Sequence, residues 1–237
     1  MGTKQPLSHF IYWYKKWFNL LADDHFSMLS GLAHDPLLRD IFAPLVLGAT
    51  LHIPDLAQMA PGELAHWLGE AGITVAHLTP AMSQLLTTGV AATSQLPALR
   101  YAVFGGEPLT PRHVSRLQEL APHVVCVNFY GTTETPQAMG YYVITPSDVQ
   151  SEAGPSVIPL GQGIDNVQLI LLNKNGRLAG VGELAEIYVR TPYLSRGYLA
   201  VGENGRFMTN PFGQTEDDRV YRTGDQARYL PDGTVTF

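Results

Sequence analysis

The sequence has little cysteine, little charge and no long apolar run. Of its 237 residues only Cys126 is cysteine, so no internal disulfide can form and a disulfide-stapled secreted domain is excluded. Cys126 stands in the apolar run Val124-Val125-Cys126-Val127, where a core thiol is expected rather than a nucleophile. No stretch approaches the ~20 apolar residues of a membrane-spanning helix. The opening Met1-Gly2-Thr3-Lys4-Gln5-Pro6 lacks the apolar centre of a signal peptide, and Pro6 stands where a myristoylation signal carries Ser or Thr. A cytoplasmic protein with no membrane partner is expected. Fifteen Lys and Arg face 21 Asp and Glu, a net charge of -6; without a basic stripe, no nucleic-acid partner is expected. Structural zinc spacings and a Gly-x-Ser-x-Gly elbow are also missing.

What is present is a chain with 45% hydrophobic residues, long enough for one large domain or two smaller ones. Ser8 is placed to cap a first, aromatic-rich helix carrying Phe10, Ile11, Tyr14, Trp17 and Phe18. After it, strand-like and helix-like segments alternate. The strands are 25–29, 50–53, 73–78, 100–104 and 123–129. The helices are 37–47, 61–71, one beginning at Ala81, and one opening at Thr110-Pro111. That alternation predicts a parallel sheet covered by helices. Beyond about Pro155 the pattern changes to the short strands 167–172, 184–189, 220–222 and 227–230. Asn173-Lys174-Asn175-Gly176 and Pro231-Asp232-Gly233 supply turns between them. The expected division is an α/β unit over 1–150 and a small antiparallel β unit over 151–237, with the break inside 146–160.

Asn128-Phe129-Tyr130-Gly131-Thr132-Thr133-Glu134-Thr135 joins an aromatic, a glycine, hydroxyls and a carboxylate at what reads as a strand-to-helix junction. Such a junction suits a nucleotide: a ring for a base, hydroxyls and free N–H groups for phosphate, a carboxylate for Mg²⁺. It also suits an ordinary turn in which Glu134 answers a helix dipole.

Read together with Gly182-Glu183-Leu184, Arg196-Gly197-Tyr198-Leu199 and Tyr221-Arg222-Thr223-Gly224-Asp225, the chain resembles the adenylate-forming enzymes. Within these it resembles the amino-acid-activating adenylation domains of nonribosomal peptide synthetases, a ligase family of secondary metabolism. The resemblance covers nearly the whole chain. It implies a flavodoxin-like parallel-sheet subdomain followed by a small antiparallel β-barrel. It also implies that ATP and Mg²⁺ activate an amino acid as aminoacyl-AMP. The aminoacyl group then passes to the phosphopantetheine thiol of a carrier protein, beside neighbouring synthetase modules. The family's phosphate loop ending in Pro-Lys-Gly and its catalytic lysine are absent. The resemblance therefore implies a truncated fragment, inactive alone, and leaves open a silent module that only holds a ligand.

By the same resemblance Tyr130 stacks on adenine, Asn128 reaches its exocyclic amine, and Gly105, Gly106 and Gly131 allow close backbone approach. Thr133 contacts phosphate, Glu134 holds Mg²⁺ and Asp225 accepts from the ribose hydroxyls, unless Asp225 is only a turn residue. Asp35 aligns with the aspartate that pairs with the substrate α-ammonium, or else is an Asp-Pro helix cap. Pro36, Arg39, His77, Val103, Phe129, Gln137 and Ala138 align with the rest of the amino-acid pocket. Arg39 is the unusual member. A buried guanidinium calls for an anion, best a carboxylate, so a side chain with a distal carboxylate is expected; the alternative puts Arg39 on the surface beside Asp40. His77 either joins that carboxylate or is a satisfied polar group of its strand. The Asp35-Pro36-Arg39-His77 combination also resembles aminoadipate-activating reductases, the competing reading.

Overall fold

In the computed structural model, residues 2–91, 94–150, 154–199, 204–213, 215 and 217–237 are described. Two compact units emerge from the contacts. One comprises Tyr14–Asn128 and Val143–Ile158; the other comprises the N-terminal stretch through Trp13, Phe129–Tyr142 and Pro159–Phe237. A cut near residue 150 marks where the sequence period changes, and residues 151–153 of that region lie outside the described ones. Contacts draw the units differently, as segments interleaved along the chain.

The first unit is α/β. Its strands are β1 (His25–Ser27), β2 (Thr50–His52), β3 (Val75–Leu78), β4 (Tyr101–Phe104) and β5 (Val125–Tyr130, through Asn128). They run parallel in the order β2-β1-β3-β4-β5. Parallel strands are covered on both faces, so they read as apolar runs rather than alternations. All four residues of β3 are buried, as are three of the four in β4. Between them lie α2 (Pro36–Leu47), α3 (Glu63–Glu70), α4 (Pro80–Leu86) and α5 (Pro111–Leu120). Local chemistry sets their ends. Pro36 opens α2, and Gly48, left-handed at φ 72°, closes it. The Thr79 hydroxyl accepts from the Met82 N–H at the start of α4. The core is Phe26, Leu64, Leu68, Val75, Val103, Phe104, Leu117 and Val127, each at most 1% exposed. Cys126 is buried among these elements, and burial pushes its thiol up to about 12, which keeps it unreactive.

The second unit is mainly antiparallel. Strands β6 (Gly140–Val143) and β7 (Gln162–Gly163) pair. Strands β8 (Gln168–Leu172), β9 (Ala185–Arg190), β10 (Phe207–Thr209) and β11 (Arg219–Tyr229) form a sheet in the order β10-β11-β9-β8, with β12 (Val235–Thr236) on β11. Here one face is covered and the pattern alternates: Ala185, Ile187 and Val189 are buried, and Glu186, Tyr188 and Arg190 only partly so.

Three expectations are corrected. Helix α1 (Lys4–Trp17) begins ahead of Ser8, whose hydroxyl bonds back to the Lys4 carbonyl at 3.2 Å instead of capping; Pro6 in the first turn makes the earlier start possible. No helix opens at the Gly131-Thr132-Thr133-Glu134 stretch after Tyr130. Turns lead from β5 to β6, so Glu134 faces no helix dipole. The segments 220–222 and 227–230 belong to one strand, β11, because an irregularity takes up Thr223-Gly224-Asp225 without ending the pairing.

Candidate functional site

In the first unit, helix α2 presents an acid, a base and an acid in its first two turns. Asp35 occupies the N-cap position in helical conformation (φ -61°, ψ -29°), yet its side chain makes no capping hydrogen bond. Half-buried, it lies one turn before Arg39, on the same helix face. Arg39 is 5% exposed and Asp40 is fully buried. Burial therefore rules out a surface Arg39. Desolvation pulls the Arg39 guanidinium below its ordinary value, while the neighbouring Asp40, Tyr14 and Asp35 oppose that pull. An arginine remains charged through such a shift.

His77, in the middle of β3, is held from two sides. Its Nδ1 lies 2.7 Å from Asp40 Oδ1, and its Nε2 lies 3.0 Å from the Tyr14 hydroxyl. Asp40 Oδ2 accepts from the Ser30 N–H at 3.1 Å. The carboxylate requires a proton on Nδ1, so a neutral ring accepts the Tyr14 O–H at Nε2. Burial and the Arg39 charge lower the imidazole's affinity for a second proton, and Asp40 only partly offsets them. Burial would raise the Asp40 carboxyl, but the hydrogen bond and charge of His77, with Arg39 and Ser30, hold it below the usual range. Both ring nitrogens of His77 are thus engaged within the unit, the satisfied-polar alternative in geometric form.

Five further candidates lie at element ends or inside this unit. Val103 in β4 is fully buried. The Gly105 N–H donates to the Leu78 carbonyl at 3.1 Å, and Gly106 adopts φ 88°, a left-handed backbone suited to glycine. Asn128 is 3% exposed, and its amide nitrogen points to the Ile158 carbonyl at 3.5 Å. Pro36 is half-buried at the start of α2.

In the second unit, the end of β5 and the loop after it meet the irregularity in β11. Between the Tyr188–Arg222 and Glu186–Gln226 pairs, Ile187 alone opposes Thr223, Gly224 and Asp225. Such a bulge re-aims side chains. The Thr223 hydroxyl donates to the Ile187 carbonyl at 2.8 Å and accepts the Asp225 N–H at 3.1 Å, while Gly224 takes φ 92°. Asp225 is thereby turned toward Tyr130, whose hydroxyl donates to its Oδ2 at 2.7 Å. Burial first, then this bond and the Asp225 charge, push the Tyr130 hydroxyl well up, so it stays protonated. Gly131 sits tightly: a Cβ there would lie 3.2 Å from the Gln137 carbonyl oxygen and 3.3 Å from that of Thr135. The loop is pinned by the Thr135 hydroxyl, which accepts the Thr132 N–H at 2.9 Å. Thr133 is exposed at its tip.

Glu134, half-buried, receives the Tyr198 hydroxyl on Oε1, and Tyr198 lies 3.2 Å from the Tyr221 hydroxyl. Burial would raise the Glu134 carboxyl, but bonds from Tyr198, its own backbone, Thr132 and Tyr221 hold it below the usual range. It therefore stays ionised, as an oxygen ligand for Mg²⁺ must be. Among the described residues no group of three or more His, Cys, Asp or Glu is arranged to hold a metal. A lone carboxylate suits a cation that takes its remaining ligands from phosphate and water. Phe129 is 4% exposed and packs edge-on to Phe10 at 5.8 Å. Gln137, at φ 74°, and Ala138 are buried on the loop returning to β6.

Sequence reasoning did not single out Tyr14, Asp40 or Tyr198. Asp40 carried a signal, since it follows Arg39 directly. Tyr14 carried none, because it meets His77 across 63 residues.

Known proteins resemble this chain over nearly its whole length. The AMP-binding enzyme family matches residues 1–199. The large subunit of L-2-aminoadipate reductase from Candida glabrata is 42% identical over 261 residues, covering 98% of this chain and 19% of that protein. A linear gramicidin synthase polypeptide from Brevibacillus parabrevis is 34% identical over 236 residues, covering 98% of this chain and 3% of that protein. The AMPPNP-bound crystal structure of the nonribosomal peptide synthetase FmoA3 superposes with a TM-score of 0.89 at 26% identity, covering 99% of this chain and 25% of that one. The chain spans about a fifth of the length of the reductases it matches. Among the described residues no helix is long and apolar enough to cross a membrane. In sequence and fold alike, the chain belongs to the AMP-binding enzyme family, the adenylate-forming ligases that include nonribosomal peptide synthetase adenylation domains.

Proposed function

We propose that this chain carries the amino-acid and nucleotide sites of an enzyme that activates an amino acid with an acidic side chain as its aminoacyl-adenylate. The observation that carries the reading is Arg39, 5% exposed on α2 one turn beyond Asp35. A guanidinium is retained in such a place where an anion has to be recognised. Asp35 takes the substrate α-ammonium and Arg39 takes the distal carboxylate. Pro36 and Val103 offer apolar surface, and Phe129, Gln137 and Ala138 are assigned to the same substrate by family pattern alone. His77 acts by holding Asp40 and Tyr14, because its nitrogens are already engaged.

By family pattern the nucleotide is assigned to Gly105, Gly106, Asn128, Tyr130, Gly131 and Asp225. Asp225 offers its carboxylate to the ribose hydroxyls, beside the Tyr130 ring offered to adenine. Thr133 contacts phosphate, and Glu134 would hold Mg²⁺, which would supply neutralisation of charge on the phosphates. With the reactants so placed, a substrate carboxylate oxygen attacks the α-phosphorus and pyrophosphate leaves; positioning and charge neutralisation supply most of the acceleration. The phosphopantetheine thiol of a carrier protein then takes the aminoacyl group as a thioester and AMP leaves, as the synthetase relatives suggest.

A second reading assigns the chain to the adenylating part of an aminoadipate reductase. The identity of 42% to the reductase against 34% to the synthetase favours it, and the acidic side chain is common to both. Calorimetric titration with non-hydrolysable aminoadipyl- and leucyl-adenylate analogues tests the shared claim. Preferential binding of the aminoadipyl analogue is expected; equal or tighter binding of the leucyl analogue would sink it.

A further inference from the structure

The Tyr14–His77–Asp40 chain does more than fill a core, because the charges around it do not balance once an acidic side chain arrives. As the protein stands, Arg39 contributes one positive charge and the neighbouring Asp40 one negative charge, and neutral His77 contributes none. Asp35, half-buried at the helix start, is answered by the substrate's α-ammonium. A distal carboxylate brought to Arg39 would then leave one negative charge in excess beside Asp40, in a place from which water is largely shut out. An unbalanced buried charge is costly, and proteins avoid the cost by moving a proton.

Resting on the acidic-substrate reading above, we propose that binding of the substrate's side-chain carboxylate is coupled to uptake of one proton by His77. The geometry makes this an undemanding step. Nδ1 already donates to Asp40 at 2.7 Å, so the incoming proton goes to Nε2, 3.0 Å from the Tyr14 hydroxyl. A hydroxyl donates or accepts by rotation alone, so Tyr14 turns from donor to acceptor and no heavy atom moves. The charged groups facing the imidazole are Arg39 and Asp40 of α2, with the Tyr14 hydroxyl on its other side. Arg39 opposes protonation in the free protein; a carboxylate bound at Arg39 cancels that opposition. The imidazole is therefore neutral when the pocket is empty and charged when an acid fills it. Asp40 and Tyr14 thereby become positioning residues for substrate choice, acting through His77 without touching the ligand.

The linkage has a direct calorimetric signature. A complex that holds one more proton than the free partners binds more tightly as pH falls, and its measured heat depends on the buffer that donates the proton. The experiment titrates this chain with an aminoadipyl-adenylate analogue, and with the analogue in which the side-chain carboxylate is an amide, in phosphate and in Tris at one near-neutral pH. Uptake of about one proton with the acid and none with the amide is the expected result. Tight binding of the acid with buffer-independent heat would overturn the coupling and leave the acidic-substrate reading standing. An acid bound no better than its amide would overturn that reading and the coupling with it. His77→Gln sharpens the assignment: it should abolish the proton uptake and reduce the preference for acid over amide roughly tenfold, about one hydrogen bond to a charged group. Retained uptake in a folded His77→Gln protein would place the proton elsewhere and refute the role of His77.

Discussion

The two compact units hold their polar groups by opposite means. In the parallel-sheet unit, Asp40, His77, Tyr14 and Arg39 are all at most 5% exposed and are answered largely by one another. In the antiparallel unit, Asp225 and Glu134 are only half-buried, and each is covered by a tyrosine hydroxyl, Tyr130 and Tyr198. The first arrangement is closed: disturbing one member leaves another unsatisfied in a dry place. The second is open: a hydroxyl can give way to a ribose, a phosphate or a cation without loss to the core. On the function proposed above, selection of a side chain would use the first, and exchange of a nucleotide the second.

The contrast breaks most sharply at Asp40. Asp40→Asn removes the buried negative charge beside Arg39 and should cost about 3–5 kcal/mol of stability, read as a shift in urea midpoint. The Asp40 carboxyl is held below its unfolded value, so its contribution is present above that value and lost as pH falls through the lower folded one. Asp40→Asn should accordingly flatten the acid limb of the stability profile. Asp225→Asn should behave in the opposite way. Unfolding should change by less than about 1 kcal/mol, while binding of an adenosine nucleotide weakens by roughly 10–100-fold, the worth of hydrogen bonds to a charged acceptor.

Tyr14→Phe leaves His77 Nε2 buried without the hydroxyl and should cost about 1–3 kcal/mol. It should also raise the imidazole's affinity for a proton, since the donor that favours the neutral ring is gone; nitrogen-15 NMR of His77 reads this directly. Tyr198→Phe is the mildest change. Unfolding should move by under about 1 kcal/mol. Loss of the donor should raise the Glu134 carboxyl toward the ordinary glutamate value, followed by carbon-13 NMR of the side-chain carboxyl.

Much of the fold was legible because parallel and one-sided antiparallel sheets leave different periods. Val75-Ala76-His77-Leu78 reads as an unbroken buried run, and Ala185 to Arg190 as an alternation. Gly48 and Thr79 marked helix ends by chemistry that acts within a few residues. What failed was decided at longer range. The stretch after Tyr130 has the composition of a helix start, yet Gly131 is packed against the Gln137 and Thr135 carbonyls in a returning loop. The continuity of β11 through Gly224 depends on β9, which no local pattern reports. In the candidate site, Arg39 could be read as unusual once the family resemblance aligned it with a pocket position. Its burial and the engagement of His77 by Tyr14 could not, because they depend on contacts between distant segments.

The measurement that bears most directly on the central claim is the affinity ratio of an aminoadipyl-adenylate analogue to its side-chain amide, in the wild-type chain and in Arg39→Gln. The account predicts a wild-type preference for the acid of roughly 10–100-fold, the worth of a charge-assisted pair, collapsing to near unity in the variant. A preference for the acid that survives Arg39→Gln unchanged would contradict it.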